Sequence, residues 1–242
     1  ELNEMIITKQ KLIQQILDYI GPYKRILLSG CDGCHQPPRS EKEAEILGDL
    51  IKLKNKVEGS IDGLETKAIT ILRQCDDKIV VDAMKPIINE YQPEAIISMA
   101  CGIGVQMLAE IFSELPVFPG QDTMFYGGEL HDLNNYKELC RACGDCLLGY
   151  TGGICPVTNC AKSLSNGPCG GTIGGKCEVG NYTENCAWMD IYEKLKQFGR
   201  LDLFRAFRPP RDYRLRTPPR KILVKETLVG GSEENEDEKE VA

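Results

Sequence analysis

Arg25-Ile26-Leu27-Leu28-Ser29-Gly30-Cys31 is the stretch on which the reading of the fold turns. Its apolar run is short and stops at Ser29-Gly30, which is a buried strand by length. Two further runs have the same form, Ala68-Ile69-Thr70-Ile71-Leu72 and Ala95-Ile96-Ile97-Ser98-Met99-Ala100, and Pro116-Val117-Phe118 makes a short fourth. Helical spacing lies around and between them. Leu12, Ile13, Ile16, Leu17 and Ile20 form one face, with Gly21 to end the helix. Ser40-Glu41-Lys42-Glu43 is a capping box, opening a helix expected to carry Ala44, Ile46, Leu47, Leu50, Ile51 and Leu53 inward. Ile79 to Tyr91 reads as helix with Pro86 as its weak point, and Val105 to Phe112 as another. Strands alternating with helices imply parallel βαβ units.

The chain has 242 residues, 42% apolar and 27% charged, which suits one or two globular domains. No apolar run approaches the roughly 20 residues of a membrane span. The start shows no basic stretch leading into an apolar one, so a cytoplasmic location is expected. A net charge of −7 argues against nucleic acid as a partner. Much of that charge lies at the end: residues 226–242 are strongly acidic and read as a disordered tail. Residues 199–225 are basic, with two Pro-Pro pairs, and read as an extended arm. That arm (Arg200, Arg205, Arg208, Arg211, Arg214) either docks an acidic donor or partner, or packs on its own chain.

Twelve cysteines against two histidines make any metal chemistry thiolate chemistry. In a reducing compartment, clustered thiols read as metal ligands or redox groups. His35 and His131 read as surface polar groups. Cys31, Cys34, Cys75 and Cys101 are spread over the first part, whereas Cys140, Cys143, Cys146, Cys155, Cys160, Cys169, Cys177 and Cys186 crowd together. The expected organisation is an α/β domain over 1–130, a small parallel-sheet βαβ unit. An irregular cysteine-rich metal-binding domain over 131–198 follows, then the arm over 199–225 and the tail over 226–242.

The four early cysteines each follow a predicted strand, at the carboxyl edge where open α/β sheets bind ligands. They could share a [4Fe–4S] cluster or a zinc, act through Cys31 and Cys34 as a dithiol, or be buried small side chains. Cys140-x-x-Cys143-x-x-Cys146 opens like the bacterial ferredoxin run, although its Cys-Pro (Cys155-Pro156) follows eight residues on. Eight thiols suffice for two four-thiolate clusters, their partition left open. Zinc is the alternative, but it favours paired C-x2-C knuckles and only one such run is present.

Taken together, Cys140-x-x-Cys143-Gly144-Asp145-Cys146, Thr151-Gly152-Gly153-Ile154-Cys155-Pro156, Cys160-Ala161-Lys162-Ser163-Leu164, Asn166-Gly167-Pro168-Cys169-Gly170-Gly171, Gly175-Lys176-Cys177-Glu178-Val179 and Cys186-Ala187-Trp188 resemble one family. It is the small cysteine-rich iron–sulfur subunit of acetogen-type methylenetetrahydrofolate reductase, the methylenetetrahydrofolate reductase C-terminal domain family. The first domain is similar to it through Gly30-Cys31-x-x-Cys34, Arg73-Gln74-Cys75 and Ala100-Cys101-Gly102-x-Gly104-Val105-Gln106, so the resemblance spans roughly residues 24–212. One departure is that His35-Gln36-Pro37-Pro38 stands where similar proteins carry a further Cys.

The resemblance implies a non-catalytic electron-transfer subunit of one-carbon (Wood–Ljungdahl) metabolism. It would pass electrons through [4Fe–4S] clusters, two plus a third at Cys31, Cys34, Cys75 and Cys101. The acceptor would be the FMN or FAD of a partner catalytic subunit that reduces 5,10-methylenetetrahydrofolate to 5-methyltetrahydrofolate. A ferredoxin or a larger electron-transfer complex is the implied donor. The alternatives are a structural zinc subunit that stabilises the reductase and an independent dithiol oxidoreductase using Cys31 and Cys34.

Overall fold

The computed structural model describes residues 6–220, apart from 38, 60, 131–134, 212, 217 and 218. The acidic tail and His131 therefore lie outside the described residues. The chain divides into two compact units, Glu1–Arg141 and Ala142–Ala242.

The first unit runs β1 (Ile6–Gln10), α1 (Ile13–Ile20), β2 (Arg25–Cys31), β3 (His35–Gln36), α2 (Glu41–Glu58), β4 (Glu65–Ile71), α3 (Asp77–Tyr91), β5 (Ala95–Ser98), α4 (Gly102–Ile111), β6 (Val117–Pro119), β7 (Gln121–Leu130) and β8 (Asn135–Cys140). Its central sheet is parallel, in the order β4-β2-β5-β6. All four of these strands coincide with the runs read from the sequence. Their alternate residues supply two cores. Ile26, Leu28, Ala95 and Ile97 pack with Ile16 and Ile20 of α1 and Leu47 and Ile51 of α2. Leu27, Ile69, Ile71 and Ile96 pack with Val80 and Met84 of α3 and Leu108 of α4. This is a sheet with helices on both faces, so its strands are apolar throughout rather than alternating. Pro86 does not interrupt α3.

The strand order carries the functional consequence. From β2 the chain crosses outward to β4, then returns to the other side of β2 to form β5. The crevice beyond the carboxyl ends of β2 and β5 is the switch point where such sheets bind ligands. Parallel register places Ser29 beside Ser98 and Cys31 beside Ile71, so the strand ends lie level.

Two features depart from the sequence reading. The first is a second sheet, β3-β1-β7-β8, in which β1 pairs antiparallel with β7 and β7 with β8. The expected boundary at 130 falls between β7 and β8, which pair with each other within the first unit. His35 enters β3 through its backbone, opposite Ile6. The second is that Ile46, Leu50 and Leu53 do not face inward but are exposed. The sheet takes only the other stripe of α2, with Ala44, Leu47 and Ile51.

The second unit contains α5 (Pro156–Asn159), β9 (Thr172–Ile173), β10 (Lys176–Cys177), α6 (Ala187–Gln197) and α7 (Leu201–Arg205). Its small apolar core is Trp188, Ile191 and Leu195, with Leu201, Leu203 and Phe204 packed on it. Part of the expected extended arm is thus helix, because Leu201, Leu203 and Phe204 have a core to bury in. Gly174 and Gly175 join β9 to β10 with φ of 57° and 78°. A two-residue turn with both φ positive matches the twist of a hairpin, and glycine adopts it without strain. Among the described residues no helix is long and apolar enough to cross a membrane.

Candidate functional site

At the switch point of the first unit, Cys31, Cys34, Cys75 and Cys101 all line one cavity of about 240 Å³, with Arg73, Gln74, Gly104 and Tyr126 among the other lining residues. Cys31 ends β2, Cys75 follows β4, and Cys101 is the N-cap of α4. Three distant segments thus deliver four thiols to one place. Among the described residues no cysteine is in a disulfide.

Gln74 organises this edge. It is fully buried. Its amide nitrogen donates to the Ser29 carbonyl at 2.9 Å and to the Gly30 carbonyl at 2.7 Å. Its amide oxygen accepts from the Ser98 hydroxyl at 2.6 Å. One side chain therefore ties the ends of β2 and β5 together, immediately before Cys75. Its stem also explains Gly104: a Cβ there would lie 2.8 Å from the Gln74 Cβ and 2.7 Å from the Ala100 Cβ. The Cys31–Cys34 loop is pinned separately. The Asp32 amide donates to the Ile71 carbonyl at 2.9 Å, and Thr70 Oγ1 donates to the Asp32 carboxylate at 2.9 Å. Sequence reasoning used Gln74 only as part of a motif; nothing in its local pattern marks it as a cross-tie.

Burial pushes the Cys31 thiol up, and neighbouring Cys101 and Cys75 add to this, while the backbone amides of Gln74 and Gly33 oppose it. Burial likewise pushes Cys34 up, again with Cys101 adding. An attacking dithiol needs a lowered thiol; these shifts run the other way. A cation bound here would have to displace protons that burial holds on these sulfurs. Among the described residues, no three His, Cys, Asp or Glu side chains stand close enough to hold a single metal ion. A zinc would draw four sulfurs to about 2.3 Å from one point. A four-iron cube holds its thiolates further apart, and the open cavity with four lining thiols fits the larger group.

In the second unit, Cys160, Cys169, Cys177 and Cys186 line a second cavity, of about 20 Å³, beside Trp188. The turn after α5, the loop before β9, strand β10 and the N-cap of α6 bring them there. Cys140, Cys143, Cys146 and Cys155 do not line this cavity. Cys140 ends β8, opposite Tyr126, and the division between units falls inside the Cys140–Cys146 run. Cys155 is the N-cap of α5.

Two cations stand at these thiols. Lys162 Nζ lies 3.5 Å from Cys169 Sγ and also pairs with Glu178. Arg211 donates to the Asp145 carbonyl at 2.8 Å, and Cys143 Sγ points at that same carbonyl at 3.6 Å. Burial alone would push the Cys143 thiol up. The hydrogen bond and charge of Arg211, with the Asp145 backbone, overcome this and hold it below its ordinary value. The basic arm is therefore packed on its own unit, and two of its arginines show how. The second is Arg208, whose backbone amide donates to Asn166 Oδ1 at 3.0 Å and whose guanidinium lies 5.6 Å from the Tyr150 ring centre.

Fold and site define a thiol-rich α/β protein whose ligand edge is built from cysteines. Residues 118–214 match the family model described as methylene-tetrahydrofolate reductase C terminal. That match covers the second unit's cysteines and the strands leading to them, and leaves residues 24–117 of the resemblance outside it. No curated protein matches the chain, and no solved structure does.

Proposed function

We propose that the chain is the iron–sulfur electron-transfer subunit of a methylenetetrahydrofolate reductase, working beside a flavin-bearing catalytic subunit. The observation that carries this reading is the gathering of four thiols from three distant segments in one cavity at the sheet's switch point. The family match over 118–214 supplies the reductase context. A bound cluster supplies reversible one-electron transfer. The chain's own residues do the rest. Cys31, Cys34, Cys75 and Cys101 hold the first centre, and Gln74 fixes the strand ends that carry them. Cys160, Cys169, Cys177 and Cys186 hold the second; Cys143, Cys146 and Cys155, with Cys140 before them in sequence, are left for the third. Cys101 and Cys186 are the N-caps of α4 and α6, and the positive end of a helix dipole favours an anionic group bound beside it. The folate and flavin sites belong to the catalytic subunit.

One observation favours a second reading for one set. The cavity among Cys160, Cys169, Cys177 and Cys186 is small and leaves less room for a cube than the first, although a single zinc would need these sulfurs drawn together here as it would there. Iron, zinc and acid-labile sulfide per chain, measured on anaerobically purified protein, separate the two. About twelve iron and twelve sulfide mean three cubes. About eight of each with one zinc mean a structural ion in that set. Zinc with no sulfide sinks electron transfer and leaves a structural subunit.

A further inference from the structure

Helix α2 carries two apolar stripes, and the sheet covers one. Ala44, Leu47, Gly48, Ile51 and Asn55 are buried. Ile46, Leu50, Leu53 and Val57 form the other stripe, exposed by 49%, 45%, 61% and 81%. Their spacing of four, three and four residues is the alternation of a coiled-coil seam. A helix that is apolar on opposite sides belongs between two layers. The capping box and the left-handed Gly59 cap fix this helix at both ends, so the seam is rigid.

The residue before each member of the seam is charged, in the order Glu45, Asp49, Lys52, Lys56. That edge is acidic in its first half and basic in its second. Such an arrangement also suits the helix dipole, but the dipole does not account for the apolar seam beside it. Turned end for end, the edge is complementary to itself. We propose that this face binds a second copy of the chain, α2 packing antiparallel on α2 about a two-fold axis between Leu50 and Leu53. Ile46 then meets Val57 of the second copy and Leu50 meets its Leu53, while Glu45 and Asp49 face its Lys56 and Lys52. A two-fold contact requires this self-complementarity. Asp49 and Lys52 pair within the helix at 2.9 Å, but both are exposed, so re-pairing across the axis costs little. The seam is short of a standard interface of about 1,600 Å², so the dimer is reversible and depends on concentration.

Sedimentation equilibrium on the full chain tests this. The wild type is expected to dimerise, and Leu53→Glu with Val57→Glu to be monomeric with an unchanged far-UV spectrum. Glu45→Lys with Asp49→Lys makes the edge wholly basic, and Lys52→Glu with Lys56→Glu makes it wholly acidic. Each variant alone is expected to be monomeric, and an equal mixture to dimerise again. That rescue is the result a misfolded variant could not give. A wild type monomeric up to about 1 mM overturns the proposal. So does a dimer that survives the seam substitutions, a mixture that stays monomeric, or a monomer that dimerises only after deletion of residues 221–242. The last result would make the chain's own C-terminal segment the occupant.

Discussion

The Lys162 ammonium stands 3.5 Å from the Cys169 sulfur, and Arg211 holds the corresponding place at Cys143. The two cations differ in setting. The Lys162 side chain is 42% exposed and shares its charge with Glu178. The Arg211 side chain is only 10% exposed, although it too shares its charge, with the Asp145 carboxylate at 3.5 Å. Solvent screens the first charge and leaves the second largely intact.

This difference sets an order for electron affinity. Adding an electron to a thiolate-held centre adds negative charge, so removing a nearby cation lowers the reduction potential. Arg211→Gln is expected to lower the potential of the centre that includes Cys143, by roughly 60 mV if the charge is worth a tenfold change in a one-electron equilibrium. Lys162→Gln should shift the other centre less, and Arg211→Lys should restore most of the loss. A redox titration followed by electron paramagnetic resonance reads each signal separately. An unmoved potential in Arg211→Gln would remove the tuning role.

Gln74→Leu should be costly. It removes the buried partner of the Ser98 hydroxyl and the Gly30 carbonyl, while the Ser29 carbonyl keeps the Met99 amide at 2.9 Å. Each orphaned buried group costs about 1–3 kcal/mol, so a loss of at least about 2 kcal/mol is expected in denaturant unfolding. On the proposed function, iron held by the first unit should fall with it. Normal stability with normal metal content would show that the strand ends are held by other means.

Ser40→Ala tests the start of α2. The Ser40 amide donates to the Glu43 carboxylate at 3.0 Å, and the Ser40 hydroxyl bonds the same group. Those bonds, the hydroxyl's first, hold the Glu43 carboxyl below its usual value despite some burial. A depressed carboxyl contributes stability that is present above the unfolded value and is lost as pH falls through the folded one. The substitution should therefore cost about 1 kcal/mol at neutral pH. The deficit should shrink below about pH 4, as Glu43 protonates in both proteins. Unfolding curves at pH 7 and pH 3 check this; an equal deficit at both would dissociate the cap from the Glu43 charge.

The parallel sheet was legible because buried strands are apolar on both faces. Leu27 and Leu28 feed opposite cores, so the run around them has no polar interruption. The second sheet was not legible. β1 offers only Ile6 and Ile7 before turning polar, and Gly127 and Gly128 break the apolar pattern of β7. The reading of α2 took Ala44, Ile46, Leu47, Leu50, Ile51 and Leu53 as one inward face, because local spacing does not say how much of a helix a sheet will cover. The gathering of Cys31, Cys34, Cys75 and Cys101 followed from their places after strands. Gln74 was invisible, because a cross-tie between β2 and β5 is set by tertiary distance and not by its neighbours in sequence.

The division of the eight later cysteines gives the last prediction. Cys160, Cys169, Cys177 and Cys186 surround one cavity, and Cys155 does not line it. Cys155 sits instead at the N-cap of α5, where its carbonyl accepts from Asn159 Nδ2 at 2.9 Å. If each set holds its own centre, Cys177→Ser and Cys155→Ser remove different ones. Cys177→Ser should abolish one metal signal and leave the other two. Cys155→Ser should abolish a second, the one whose potential responds to Arg211→Gln. Cys75→Ser, in the first unit, should abolish the third. Iron and sulfide analysis with spectra of each variant makes the assignment. Loss of the same signal in Cys155→Ser and Cys177→Ser would mean that the two residues share a centre, and that the grouping around the small cavity is not the ligand set.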